Sequence, residues 1–233
     1  MSKFEPAILV PKLFYSDDNP EEAWVNIYGD KVIDVLVVLS MYYSPYLQRS
    51  WFSIHELFKM NNNAYTNIQI KRDYLKIMSQ MQKNKVIKTD LKLIENQYYR
   101  RNEVVPVDIY YPLEPYVILY LDELEKITNM KLMLTKKYRI LALFLYICGH
   151  INETTKQGAW VSALTMSRTL GITRDTVFTY LNHLYDAGLL VVAGQRRVEY
   201  GTTVNLLTRN RPEYIKFVKD SRRLSNKNKS KSS

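Results

Sequence analysis

Apolar residues fall on nearly every turn of Asp30–Tyr43, Val32, Val35, Leu36, Leu39 and Tyr43 among them. This spacing predicts a mostly buried helix that Pro45 stops. Ser53-Ile54-His55-Glu56 then fits a capping box, in which the serine oxygen takes one free helix amide and the glutamate another. A short helix to about Met60 follows, and the polar run Asn61-Asn62-Asn63 breaks it. Thr66–Lys83 resumes helical spacing with Ile70, Tyr74, Met78 and Met81 on one side. Lys85–Asp90 and Leu91–Tyr111 are β-branched and aromatic enough to predict a hairpin. Ahead of this unit, residues 1–28 carry Pro6, Pro11, Pro20 and the acidic turn Asp17-Asp18-Asn19, the marks of an extended N-terminal arm with a short helical piece near Trp24.

The same order then recurs. Pro106, Pro112 and Pro115 punctuate a connector, and Tyr120–Met130, with Asp122 and Glu123 early, predicts a linking helix within 113–134. Lys136–Ile151 is a strongly apolar helix, Gly158-Ala159-Trp160 a break, Ser162–Leu170 a short helix and Gly171-Ile172-Thr173 a tight turn. Thr173 is placed to cap a helix running to about Ala187, which Gly188 ends. Leu189–Ala193 is then a strand, Gly194-Gln195-Arg196-Arg197 a basic turn and Val198–Leu207 a returning strand. The expected units are 29–112 and 135–210, with 211–233 left as a helix opened by Pro212 and a basic disordered tail. Setting Met81 against Leu184 puts Met78 on Leu181 and Tyr74 on Val177, a match of pattern that points to internal duplication.

Helix, helix, helix, hairpin is the order of a winged helix, and the most specific stretch is Met166–Val192. It reads Met166-Ser167, Leu170-Gly171-Ile172-Thr173, Thr176-Val177, Leu181, Leu184, Gly188-Leu189-Leu190. It resembles the helix-turn-helix and wing of bacterial winged-helix DNA-binding proteins. By layout, most of the chain resembles tandem winged-helix replication or regulatory proteins of Gram-positive plasmids and phages. The resemblance implies a mainly α fold with small β-hairpin wings (α+β), two winged-helix units in tandem, and double-stranded DNA as partner.

Physical reasons for the motif stand beside the resemblance. Ser167 is small where two helices cross, Gly171 permits a sharp turn, and Val177, Leu181 and Leu184 bury one face of the third helix. The opposite face shows Asp175, Thr179, Asn182 and His183, with Arg174 and Thr176 at the amino end. Arg174 has the fork for a guanine edge and Asn182 the amide for an adenine edge. Thr176 or Thr179 suits a phosphate or a thymine methyl. For Arg196 and Arg197, at the expected wing tip, the resemblance implies phosphate or minor-groove contact. The first unit offers Lys71, Arg72 and Lys76 on its third helix and Arg100 and Arg101 beside Tyr98 and Tyr99. It lacks the Leu-Gly-Ile-Thr turn, so it is expected to dimerise or to grip phosphates without reading sequence.

Charge points the same way: 33 Lys and Arg against 23 Asp and Glu give a formal +10, which favours a polyanionic partner. The tail residues Arg222, Arg223, Lys227, Lys229 and Lys231 add to it. A Gly-x-x-x-x-Gly-Lys-Ser/Thr loop, a His-Glu-x-x-His helix, a Cys-x-x-Cys pair and a His-x-His pair are all missing, so no catalytic residue, cofactor or metal is expected. The lone Cys148 lies in an apolar run and packs as a small hydrophobe, which fits a reducing cytoplasm. No signal-peptide order and no stretch long enough for a bilayer is read, so no membrane is expected. Three roles follow: a transcription regulator on a mobile element, an initiator that recruits replication proteins to origin repeats, and a winged-helix scaffold that binds protein alone. Two linked units imitate a dimer within one chain if their helices enter successive major grooves about 34 Å apart; a homodimer is the other arrangement.

Overall fold

Every side chain from Val32 to Leu39 is buried, so the helix that carries them is wrapped on all sides rather than laid against one neighbour. The computed structural model describes residues 6–60, 68–89, 104–197, 203–217 and 219. By backbone contact the chain falls into two units, Met1–Ala142 and Leu143–Ser233. The architecture is mixed helix and sheet, with helix the larger share and the strands in small antiparallel sheets.

In the first unit the order is β1 (Ala7–Pro11), α1 (Trp24–Tyr28), α2 (Val32–Met41), β2 (Tyr43–Ser44), β3 (Arg49–Phe52), α3 (Ile54–Met60), α4 (Ile68–Lys83), β4 (Ile87–Thr89), β5 (Val105–Ile109), β6 (Tyr116–Tyr120) and α5 (Leu121–Thr128). One antiparallel sheet runs β2-β3-β5-β4 and a second pairs β1 with β6. Helix α2 packs against β1, β3, α3 and α4. Full burial of one Val, Leu or Ile contributes about 1.5–3 kcal/mol, and α2 carries seven of them from Val32 to Leu39. The one acid among them, Asp34, is held by the Tyr74 hydroxyl, which donates to its carboxylate. Ser53 Oγ accepts the Glu56 amide at 3.3 Å and starts α3, while the Glu56 carboxylate accepts the Tyr42 hydroxyl at 2.8 Å.

Helix α6 (Leu134–Gly149) begins among the residues of the first unit and ends in the second. Then come β7 (Ala159–Trp160), α7 (Ala163–Thr169), α8 (Arg174–Asp186), β8 (Leu190–Arg197) and β9 (Thr203–Arg209), in a sheet ordered β7-β9-β8, and a helical turn at 212–217. The second unit runs helix, strand, helix, helix, strand, strand from α6 to β9, and the first from α2 to β5 differs by carrying two strands, β2 and β3, between its first two helices; in each sheet the last of these strands lies between two others. Tyr74, Met78 and Met81 of α4 are buried, as are Val177, Leu181 and Leu184 of α8.

Several expectations need correction. Within the expected extended arm, residues 7–28 are packed into the first unit. Ile8 stands opposite Leu119 and Val10 opposite Val117, all four buried, and Phe14, Trp24 and Val25 are buried too. For the same reason 113–134 is no bare linker: it contains β6 as well as α5. Pro106 lies in β5, opposite Trp51, not in a connector. The division between units falls after Ala142 rather than at Thr135, because Arg139 Nε donates to Asp30 and Tyr138 lies under the Lys31 ammonium, tying the start of α6 to the first unit. The expected basic turn at 194–197 is strand: Gln195 pairs with Asn205 and Arg196 with Val204, after a bulge between Val192 and Gly194. The Asn-rich link at 61–63, Arg100 and Arg101, and the tail from 220 onward lie outside the described residues.

Candidate nucleic-acid interface

Local chemistry fixes α8 at both ends. Ser162 Oγ accepts the Thr165 amide at 3.0 Å and caps α7. Gly171 then adopts φ +62°, a left-handed conformation that glycine takes without a Cβ penalty, and the chain reverses into α8. Ser167 Oγ donates to the Ile172 carbonyl at 2.5 Å across this turn, so the serine ties the turn as well as being small. Thr173 Oγ1 accepts the Thr176 amide at 3.2 Å and caps α8. At the far end Gly188, at φ +62°, receives the Asn210 side-chain amide on its carbonyl at 3.1 Å. Met166, Leu170, Val177, Leu181 and Leu184 are buried, which fixes the rotation of α8 about its axis.

That rotation leaves Arg174, Asp175, Thr179 and Asn182 exposed, with Thr176 and His183 half-buried. Two hydroxyls on this face already have local partners: Thr176 Oγ1 lies 2.8 Å from Thr173 Oγ1, and Thr179 Oγ1 donates to the Asp175 carbonyl at 2.9 Å. A hydroxyl has one proton to give, so Thr179 offers an outside partner acceptor lone pairs and a methyl group rather than a donor. Asp175, in the first turn, also suits the positive end of the helix dipole.

Phe178, passed over in the sequence, belongs to this face at 49% exposure. Its signal was present, because it stands three residues after Asp175 and four before Asn182.

Arg196 lies on β8 rather than on a turn, and its guanidinium sits 4.6 Å above the Trp160 ring, across the sheet on β7. This stacking holds the planar fork in place while leaving the residue exposed. Arg197 is the last residue of β8; its side chain is outside the described residues. Gln195 Nε2 donates to Asn205 Oδ1 at 3.0 Å and extends the β8–β9 ladder by a side-chain rung.

In the first unit, Arg72 and Lys76 are exposed on α4, one turn apart, while the side chain of Lys71 is outside the described residues. Sequence reading missed three further exposed cations nearby: Lys83, Lys85 and, on β4, Lys88. The acid on α4, Asp73, is bound to the Lys31 ammonium and to Gln69 Nε2 at 2.9 Å. Burial acts to raise its pKa, but these partners together outweigh it and hold the carboxyl below its ordinary value. A cavity of about 320 Å³ beside it is lined by Asp30, Lys31, Asp73, Lys76 and Tyr138 among others. Burial, with the Asp30 charge, pushes the Tyr138 phenol up to about 12, so it stays protonated at neutral pH and is no general base there.

In the second unit Arg174, Asp175, Thr179 and Asn182 share the outer face of α8 while Arg196 lies on β8, and in the first unit Arg72 and Lys76 are exposed on α4. Among the described residues no group of His, Cys, Asp and Glu is arranged to hold a metal ion, and no helix is long and apolar enough to cross a membrane. No protein-family model, curated protein or solved structure matches the chain.

Proposed function

We propose that this chain is a non-enzymatic, sequence-specific double-stranded-DNA-binding protein made of two winged-helix units, and that it regulates transcription on a bacterial mobile element. The observation that carries the reading is the face of α8. A helix held rigidly by a capped glycine turn carries Arg174 and Asn182 exposed, with the two planar side chains best suited to guanine and adenine edges. Arg196, pre-oriented on Trp160, and the cations of α4 and β4 add the charge that neutralises phosphates.

A second reading, a replication initiator, draws support from a different surface. Tyr46 is 95% exposed, and Leu47 and Trp51 are also exposed around the β2–β3 turn. An initiator needs such apolar ground for the proteins it recruits, whereas a repressor needs only to occupy its site.

The test is fluorescence-anisotropy titration of the full chain with random duplex and with duplex from its own gene neighbourhood, at two salt concentrations. Preference for the native duplex that falls by about 1–3 kcal/mol for each of Arg174→Ala and Asn182→Ala is the expected result. Duplex binding with unchanged preference in both variants removes α8 as the reader. No duplex binding at all leaves the protein-binding scaffold.

A further inference from the structure

Phe178 is the feature of α8 that neither its packing nor its hydrogen bonding explains. Val177, Tyr180, Leu181 and Leu184 are 0 to 6% exposed and fill the inner side of the helix, while Phe178 is 49% exposed in the middle of the outer side. Arg174 stands one turn before it and Asn182 one turn after. Beside it, Thr179 has its hydroxyl proton committed to the Asp175 carbonyl, so the position offers a methyl and acceptor lone pairs but no donor. The centre of the face is therefore apolar and its two ends are polar.

On the floor of the major groove one apolar group exists in unmodified DNA, the C5-methyl of thymine. Resting on the reading of α8 as the base-reading helix, we infer that Phe178 is a specificity-determining residue that packs against thymine methyls at the centre of the target site. Helical rise places its Cα about 6 Å from those of Arg174 and Asn182, roughly two base-pair steps to either side. The target then has a thymine flanked within about two base pairs by the guanine and adenine contacts. Half-exposure in the free protein fits such a role, because the ring gains burial only when the groove closes over it.

The experiment selects preferred duplexes from a random-centre library with the wild-type chain, then replaces each thymine in turn by deoxyuridine, which removes the methyl and leaves the hydrogen-bonding edge intact. Wild type should lose about fourfold in affinity for each contacted methyl removed. Phe178→Ala should bind the selected duplex more weakly and show no further loss on the same replacement. Its thermal midpoint, followed by circular dichroism, checks that the exposed substitution leaves the fold intact. Selective binding by wild type that ignores every deoxyuridine, or an equal loss in Phe178→Ala, overturns this inference alone. Failure of wild type to select any duplex overturns the DNA-reading function and the inference with it.

Discussion

Arg72, Lys76 and Lys83 are exposed along α4. At 1.5 Å per residue they span about 16 Å of helix, enough to meet more than one phosphate of a duplex lying along it. Each phosphate neutralised on B-DNA contributes about 0.9 to the slope of log affinity against log salt. The triple variant Arg72→Ala, Lys76→Ala, Lys83→Ala should therefore lower the magnitude of that slope by between about 1 and 3, according to how many of the three reach a phosphate. Over a fourfold rise in salt each contact accounts for a loss of about 3.5-fold, so the variant and wild type should converge at high salt and separate at low salt. The assay is anisotropy with a random duplex, chosen so that base reading by α8 does not enter. All three side chains are exposed, so the variant should unfold in urea where wild type does. An unchanged slope with an unchanged unfolding curve would show that these three side chains of α4 are solvated surface and take no part in gripping DNA.

Two further outcomes concern what holds the units in shape. Arg209 is fully buried, 3.6 Å from a Glu153 carboxylate that also accepts the Tyr214 hydroxyl and lies 3.1 Å from the Lys156 ammonium. Glu153→Gln leaves two cations without this counter-charge and should cost about 2–3 kcal/mol, at or below the bottom of the roughly 3–5 kcal/mol range for a broken buried pair because the carboxylate is partly solvated; urea unfolding followed by tryptophan fluorescence reads it, and a cost under about 0.5 kcal/mol refutes the pairing. Asp73 has a lowered pKa in the fold, so its contribution is present above the unfolded value near 3.9 and is lost as pH falls through the folded one. Asp73→Asn should then cost up to about 1 kcal/mol at neutral pH and progressively less in acid, when both chains are followed by Trp24 and Trp51 fluorescence; a cost independent of pH would show that the charge plays no part.

Where the fold was legible, short-range physics decided it. The burial of α2, the Thr173 cap and the Gly171 turn each depend on residues within one or two helical turns. The pairing of β1 with β6 joins segments more than a hundred residues apart, and nothing in either strand names the other. Strand β7 is two residues long, too short for any alternation to register. Pro106 misled because proline lacks an amide for the ladder, yet β5 accepts it opposite Trp51, with the Thr89 hydroxyl donating to its carbonyl at 3.0 Å. The supposed turn at Arg196 misled through its glycine: Gly194 follows a bulge that carries the strand on instead of ending it. Phe178 was passed over because the sequence reading looked for polar groups on the outer face of α8, and its apolar ring, 49% exposed, lies on that face between Asp175 and Asn182.

Helices α4 and α8 differ in a way that bears on the proposed function. Helix α8 carries one arginine against two aspartates, so its own charge gives it no pull on a polyanion, whereas α4 carries four basic residues against one aspartate that is already paired to Lys31. A helix with planar hydrogen-bonding groups, an apolar centre and no net positive charge discriminates between sequences more than it attracts them. A basic helix attracts without discriminating, because phosphates are the same at every step. On the proposed function, affinity then resides mainly in the first unit and in Arg196, and specificity in α8. On the same proposal the first unit can do without the Leu-Gly-Ile-Thr turn, since a helix that only meets phosphates would not need the angular precision that a capped glycine turn supplies.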